Sequence, residues 1–479
     1  MGGRGVWFFK SIPLPYLNIH VFSLPAVRLF IVQPYCRQEY QSTSVQEYKI
    51  QETWQIRRLL EIQNTQSQVT CRMSAGLLRM TGCLLPLLAI LLAGAEGQED
   101  FQGFLDQMES DYKLLGLAAG AFSVHEEGWV LRGDLGRRMS EDPTPVQGED
   151  MWALGNAGRP LVTALAARLV QGGALRWNTT LGEVYSGPGL VTVSPGFQDV
   201  TLLDLLVHNG GAPNEEMALS SLEAIDFVDS LWERSDYSQE YSGNAGLRRE
   251  MAGVILASGV EPAEAGTYSQ YTYSLAVGLI ETVTNSSFRS LLAQEVLVPL
   301  DMQGCGVGPP TLDSSLPPVQ PWGHFAGPWG YYNIPSPGPR GAGPSATAPD
   351  QGLHCSLDSL KNFLTAHLQR PESFLSAENW QLLQTAQSKV KIGYGRYADY
   401  APGFFVADSL RYEYGGDGTS SAQIVMDLEQ GFGLVIACNT PIEGGMRQEV
   451  GWTAIRNYMW ETMGPPTAGK GGRQFLPAP

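Results

Sequence analysis

Apolar residues recur at positions Phe101, Phe104, Leu105 and Met108, the i, i+3, i+4, i+7 spacing of one helical face, and predict a helix over 101–115. Two extended apolar runs follow, Leu117–His125 and Trp129–Leu135, and Glu126-Glu127-Gly128 between them predicts a hairpin turn. From about Met151 to Met302 the pattern is mostly helical: Pro160–Gln171 closed by Gly172-Gly173, then Leu202–His208, Leu222–Trp232, Tyr273–Val283 and Phe288–Pro299. Residues 308–350 are rich in Pro and Gly yet carry Trp322, Trp329, Tyr331 and Tyr332. They read as a long ordered loop over a domain junction. A helix over Leu357–Leu368 precedes strand-like stretches at Tyr394–Val406, Tyr412–Tyr414, Gln423–Leu428 and Gly433–Asn439, and Val450–Thr462 is an amphipathic closing helix.

This order predicts one α/β (α+β) body over 101–463, with an antiparallel sheet built from the N- and C-terminal segments and flanked by helices. An all-helical domain is inserted at about 151–302, and 464–479 is a flexible tail. No repeat of solenoid length occurs.

Composition adds two exclusions and one address. With 43% hydrophobic and 10% aromatic residues the 479-residue chain is globular rather than disordered. A net charge of -17 offers nucleic acid no basic footprint. Residues 1–72 run against that balance, with eight Lys/Arg and four Asp/Glu, and read as an extension foreign to the rest. From Met73 the chain has a single Arg, the apolar run Cys83–Ala95, small residues and then an acidic stretch, the order of a secretory signal peptide over 73–97 with cleavage between Gly94 and Gly97. A run of about 13 apolar residues suits a signal and falls short of the ~20 needed to span a bilayer. Two arrangements accommodate it: Met73 as the initiator of a secreted or lumenal protein, or an uncleaved anchor of a single-pass type II membrane protein. Sequons at Asn178 and Asn285 agree with an extracellular or lumenal body. Outside the extension and the apolar run, Cys305, Cys355 and Cys438 remain; Cys305 with Cys355 is a candidate bridge and Cys438, in an apolar stretch, a buried thiol.

Six segments, taken in order, carry a family resemblance. They are Trp152–Leu175, Val200–Gly211 with Thr201, Asp204 and His208, Gly266-Thr267-Tyr268-Ser269-Gln270, Val298-Pro299-Leu300-Asp301-Met302, Gly352–Phe363 with Asp358-Ser359-Leu360, and Gly415-Gly416-Asp417-Gly418-Thr419. Together they resemble the serine β-lactamase and penicillin-binding-protein superfamily, most of all its class C and esterase-like branch. The resemblance runs from about Leu105 to Met463 and implies the β-lactamase/transpeptidase-like fold.

What the resemblance implies for chemistry is different. In the family a Ser-x-x-Lys helix supplies nucleophile and base, a Tyr-x-Asn motif supplies a proton-shuttling tyrosine, and a Lys/His-x-Gly strand closes the site. Here Asn156 stands at the serine position and Arg159 at the lysine position. An amide nitrogen does not attack carbonyls, and a guanidinium keeps its proton. Tyr268 is retained, Gln270 replaces Asn, and Tyr414 with Gly416 stands at the ends of the third motif. Asn156 also reads as a helix N-cap, with Pro160 in the first turn. Two chance Ser-x-x-Lys matches, Ser110–Lys113 and Ser388–Lys391, fall off the nucleophile helix. Ser269 and Ser420 lack a neighbouring activator in sequence, and His208 reads as a core histidine. No phosphate loop, metal spacing or paired carboxylates stand out, so no cofactor or metal is implied.

The leading expectation is a pseudoenzyme of the secretory pathway that binds a small-molecule or protein ligand in the old cleft, with Arg159, Tyr268 and Thr419 as ligand-binding candidates. A hydrolase of amide, ester or lactam bonds with a rearranged site, and a structural self-associating protein, are the alternatives. Arg159 itself has two readings: a fork for a ligand carboxylate, or a partner for an acidic neighbour.

Overall fold

The structure, a computed structural model, describes residues 9–14, 17–24, 27–34, 101–185, 191–212, 234, 242–257, 264–327, 330–333, 344–392, 396–441 and 446–463. It divides into two units, residues 1–91 and 92–479. In the first, β1 (Phe9–Leu14), β2 (Leu17–Leu24) and β3 (Val27–Pro34) form an antiparallel meander. The run Cys83–Ala95, the helix expected at Leu222–Trp232 and the tail 464–479 lie outside the described residues.

The second unit is built on a nine-stranded antiparallel sheet. It opens with α1 (Phe101–Tyr112), β4 (Gly116–Ser123), β5 (Leu131–Met139) and β6 (Asp142–Pro145), so the expected first helix and hairpin are present. The remaining strands come from the other end of the chain: β12 (Ser388–Lys391), β13 (Tyr397–Ala401), β14 (Phe404–Ala407), β15 (Leu410–Gly416), β16 (Ser421–Asp427) and β17 (Phe432–Cys438). The order is β12-β13-β14-β15-β16-β17-β4-β5-β6, and β17 pairs with β4 along its whole length, from Phe432↔Ser123 to Cys438↔Leu117. The two ends of the unit therefore share one sheet. Its central strands β16 and β17 are buried on both faces, which is why β17 reads as an unbroken apolar run rather than an alternating one.

Between the two halves lie β7 (Met151–Ala153), α2 (Arg159–Gln171), α3 (Leu181–Tyr185), α4 (Leu202–Leu206), α5 (Ser242–Ala257), α6 (Thr272–Thr284), α7 (Phe288–Leu292), β8 (Cys305–Val307), the hairpin β9 (His324–Gly327) and β10 (Gly330–Asn333), α8 (Ala348–Gln351), β11 (Leu353–Ser356), α9 (Leu357–Gln369) and α10 (Ala377–Gln384). The segment is thus not all-helical from Met151: β7 is a strand, pairing with β11, which also pairs with β8. In the 308–350 stretch, β9 and β10 form a small hairpin where only a loop was expected. Tyr394–Val406 is two strands rather than one, folded at Pro402-Gly403. The helix expected to reach Pro299 ends early: α7 passes into a π-helical turn, Ala293–Leu297, ahead of Pro299, a residue without an N–H to continue the ladder. Helices α2 and α6 are buried nearly all round, as expected of helices that pack on every side. Cys305 and Cys355 face each other across β8 and β11 and are joined as a disulfide, and Cys438 is a buried free thiol.

Candidate functional site

The route from β7 into α2 sets the place of Asn156, the residue that the sequence resemblance matches to a serine. After Leu154 the chain turns through Gly155, at φ +51°, where a Cβ would lie 2.5 Å from the carbonyl carbon of Gly416. Only glycine fits both demands. A 3₁₀ turn, Gly155–Gly158, then presents Asn156 and delivers Arg159 at the start of α2. Asn156 is therefore not the N-cap of α2; Gly158 is, with no side-chain bond, while Pro160 does occupy the first turn. Asn156 stands against β15 so closely that a Cβ on Gly415 would come within 2.7 Å of its own Cβ.

Across the site, Asn156 Nδ2 donates to Tyr268 Oη at 2.5 Å. The residues at the serine and tyrosine positions are thus in direct contact, from 112 positions apart. Arg159 lies beneath them, fully buried. Its Nε donates to Asp350 Oδ1 at 2.6 Å, its Nη1 is 3.9 Å from Glu413 Oε1, and its Cζ sits 4.4 Å from the Tyr268 ring centroid and 5.2 Å from that of Tyr273. Burial acts to lower its pKa, but Asp350, Tyr268, Tyr400 and Glu413 raise it well above the ordinary arginine value. Residue 159 is therefore a permanent cation that pairs through Nε with a buried acidic neighbour, while Nη1 and Nη2 make no hydrogen bond among the described residues.

Neither of the other candidate bases is available. Burial drives the Tyr268 phenol well above its usual range, Arg159 opposes, and Asp350 and Glu413 add to the rise. His208 is buried, stacked on Tyr268 at 4.7 Å, and held well below the usual imidazole range by burial and then by Arg159. Its Nδ1 accepts from the Ser269 backbone N–H at 3.5 Å and lies 3.1 Å from Thr272 Oγ1. It is a neutral packing residue, as expected.

The remaining candidates divide. Gln270 is half-buried and its Oε1 accepts from Gln351 Nε2 at 3.3 Å. Tyr414 is stacked in a row with Phe405 and Tyr412, at 5.8 and 6.3 Å, and the side chain of β15 that reaches Arg159 is Glu413, one residue earlier. Thr419 is buried: its backbone N–H and Oγ1 donate to Asp417 Oδ1 at 2.8 and 2.7 Å, its carbonyl accepts from His324 N–H at 2.9 Å, and Gly323 lies directly over it. The Pro/Gly loop has closed over that end of the site. Ser110 is on α1 and Ser388 is in β12, both off the helix that carries Arg159, and the Ser388 hydroxyl donates to the Val207 carbonyl. Asp350 and Glu413 are the residues that sequence reading missed. Glu413 gave one faint signal, a carboxylate between two strand tyrosines; Asp350, in a loop-like stretch, gave none. Among the described residues no His/Cys/Asp/Glu group is arranged to hold a metal ion, and no helix is long and apolar enough to cross a membrane.

The Beta-lactamase family model matches residues 101–456, which include every strand of the nine-stranded sheet. The chain belongs to the β-lactamase family. Solved structures agree on this β-lactamase/penicillin-binding-protein-like fold. An octameric penicillin-binding protein homologue from Pyrococcus abyssi is similar at 18% identity and a TM-score of 0.58, over 76% of each chain. The D-amino acid amidase from Ochrobactrum anthropi SV3, complexed with L-phenylalanine, is similar at 16% identity and a TM-score of 0.58, over 76% of this chain and 98% of the amidase. EstCE1, a hydrolase with promiscuous acyltransferase activity, aligns at 16% identity and a TM-score of 0.55, over 75% of this chain and 97% of its own. No curated protein matches the sequence. At the two positions that the sequence resemblance matches to the family's serine and lysine, this member carries the amide of Asn156 and the guanidinium of Arg159.

Proposed function

We propose that this β-lactamase-family protein has given up acyl transfer and acts by binding, with the half-buried edge formed by Asn156, Tyr268 and Gln270 as the ligand-facing side of the old site. The observation that carries the reading is the Arg159–Asp350 pair: the lysine position is filled by a cation that cannot release its proton and that pairs with a buried carboxylate at 2.6 Å. Asn156 supplies no nucleophile, and the Tyr268 phenol holds its proton too tightly to act as a base. The scaffold around these groups is intact, with Gly155 and Gly415 still shaped to the turn that presents residue 156. A ligand there meets amide and phenol groups rather than an exposed charge, because Arg159 is fully buried below them and Thr419 is covered. Placement in the class C and esterase-like branch, and passage through the secretory pathway with glycans on Asn178 and Asn285, complete the proposal; both asparagines are exposed.

The test is intact mass of the purified secreted protein before and after exposure to a penicillin and to a fluorophosphonate. An unchanged mass is expected. A covalent adduct would overturn the reading in favour of a hydrolase with a displaced nucleophile, and peptide mapping would locate it. The starting mass also reports the N-terminus and the glycans.

A further inference from the structure

The charges around Arg159 do not balance. One guanidinium faces two carboxylates, Asp350 at 2.6 Å and Glu413 at 3.9 Å, and all three side chains are buried. An unpaired anion in such surroundings is costly, and a proton on one carboxyl removes the excess. The geometry selects which one carries it. Asp350 holds the guanidinium at hydrogen-bonding distance, whereas Glu413 stands off and has its other oxygen, Oε2, accepting from Tyr400 Oη at 3.1 Å. Burial pushes Glu413 up to about 8, with Arg159 and Tyr400 opposing and Asp350 adding.

The other titratable groups around the cluster stay neutral near pH 7. Tyr400 on β13 and Tyr273 on α6 have their hydroxyls 3.3 Å apart, and burial raises both phenols. Tyr268 is raised likewise and His208 is lowered. Arg159, Asp350 and Glu413 therefore set the charge among themselves.

Arg159 also touches the ligand-facing side. Its guanidinium lies over the Tyr268 ring at 4.4 Å, and Tyr268 Oη accepts from Asn156. We propose that Arg159 is a two-position element thrown by the proton on Glu413: with the proton on, the guanidinium rests on Asp350 and beneath Tyr268; with it released to solvent, Glu413 draws the guanidinium toward itself and resets the Tyr268–Asn156 contact. The ionised carboxylate supplies the differential interaction that a change of position requires. The switch goes beyond the binding reading and does not rest on it, since it needs no ligand.

The experiment uses the whole secreted protein labelled with [ζ-13C]tyrosine, the Tyr268 resonance being assigned by its loss in Tyr268→Phe. Followed from about pH 6 to 9.5, the Tyr268 signal is expected to move with an inflection near pH 8, below the range in which its own phenol ionises. Glu413→Gln is expected to abolish the inflection. Tyr400→Phe, which removes a donor to the Glu413 carboxylate, is expected to move it to higher pH. A Tyr268 signal without an inflection in the wild type, or one that survives unchanged in Glu413→Gln, overturns the proposal. If Glu413→Gln does not fold, an inflection unmoved in Tyr400→Phe overturns it.

Discussion

Arg159 and Asp350 lie 191 residues apart in sequence and meet Nε to Oδ1 at 2.6 Å with both side chains fully buried. The pair occupies the place from which a family lysine would serve its serine. The pair leads us to expect that restoring the family's letters alone will not restore its chemistry. In Asn156→Ser with Arg159→Lys, the new ammonium lies beside Asp350 and Glu413, which hold its proton on, so the lysine is no base. Intact-mass spectrometry is expected to show no penicillin adduct on that double variant. Adding Asp350→Asn, which frees the amine, is the change expected to allow one.

Removing Arg159 leaves Asp350 a buried charge without its partner, whereas removing Asp350 leaves Glu413, 3.9 Å from the guanidinium, to take its place. Arg159→Ala is expected to cost about 3–5 kcal/mol in denaturant unfolding, and Asp350→Ala less. Replacing both together, as Arg159→Met with Asp350→Leu, is expected to recover most of that loss, because no charge is then stranded. A double variant as unstable as the worse single one would contradict this account.

The pH dependence of stability carries a signature of His367. Its imidazole is enclosed by Phe363, Trp380 and Phe404, neither ring nitrogen has a hydrogen-bond partner, and burial pushes its pKa down to about 3. The unfolded chain takes up a proton at about 6.5 that the native state refuses, so this group's contribution is present above pH ~6.5 and is lost as pH falls toward 3. His367→Leu is expected to flatten the acid limb of the unfolding midpoint by about one proton and to raise stability at pH 5. An unchanged slope would show that the histidine is not the source.

The disulfide closes a 50-residue span between β8 and β11. On the chain-entropy account, Cys355→Ser or reduction removes about 4 kcal/mol of stability. Guanidinium unfolding with and without reductant measures it, and a difference below about 1 kcal/mol would mean the strands hold their register without the link.

The sequence by itself determined the fold and the side-chain types at residues 156 and 159. Periodic apolar faces placed α1, α2, α6 and α9, an unbroken apolar run placed β17, and six ordered landmarks identified the family. Asn156 and Arg159 declared their chemistry by residue type alone, since nucleophilicity and proton affinity belong to the side chain. What surrounds Arg159 was decided only by the tertiary structure. Asp350 comes from an irregular stretch and Glu413 from a strand whose flanking tyrosines masked it, and no local period links either to residue 159. Thr419 looked open as a motif residue, yet the loop through Gly323 covers it. The short strands β7, β8 and β11 escaped notice for the same reason: each has only three or four residues, too few to show a period, and forms because its partners from distant segments complete its hydrogen bonds. Burial and pairing between segments more than a hundred residues apart are properties of packing, and a linear pattern does not record them.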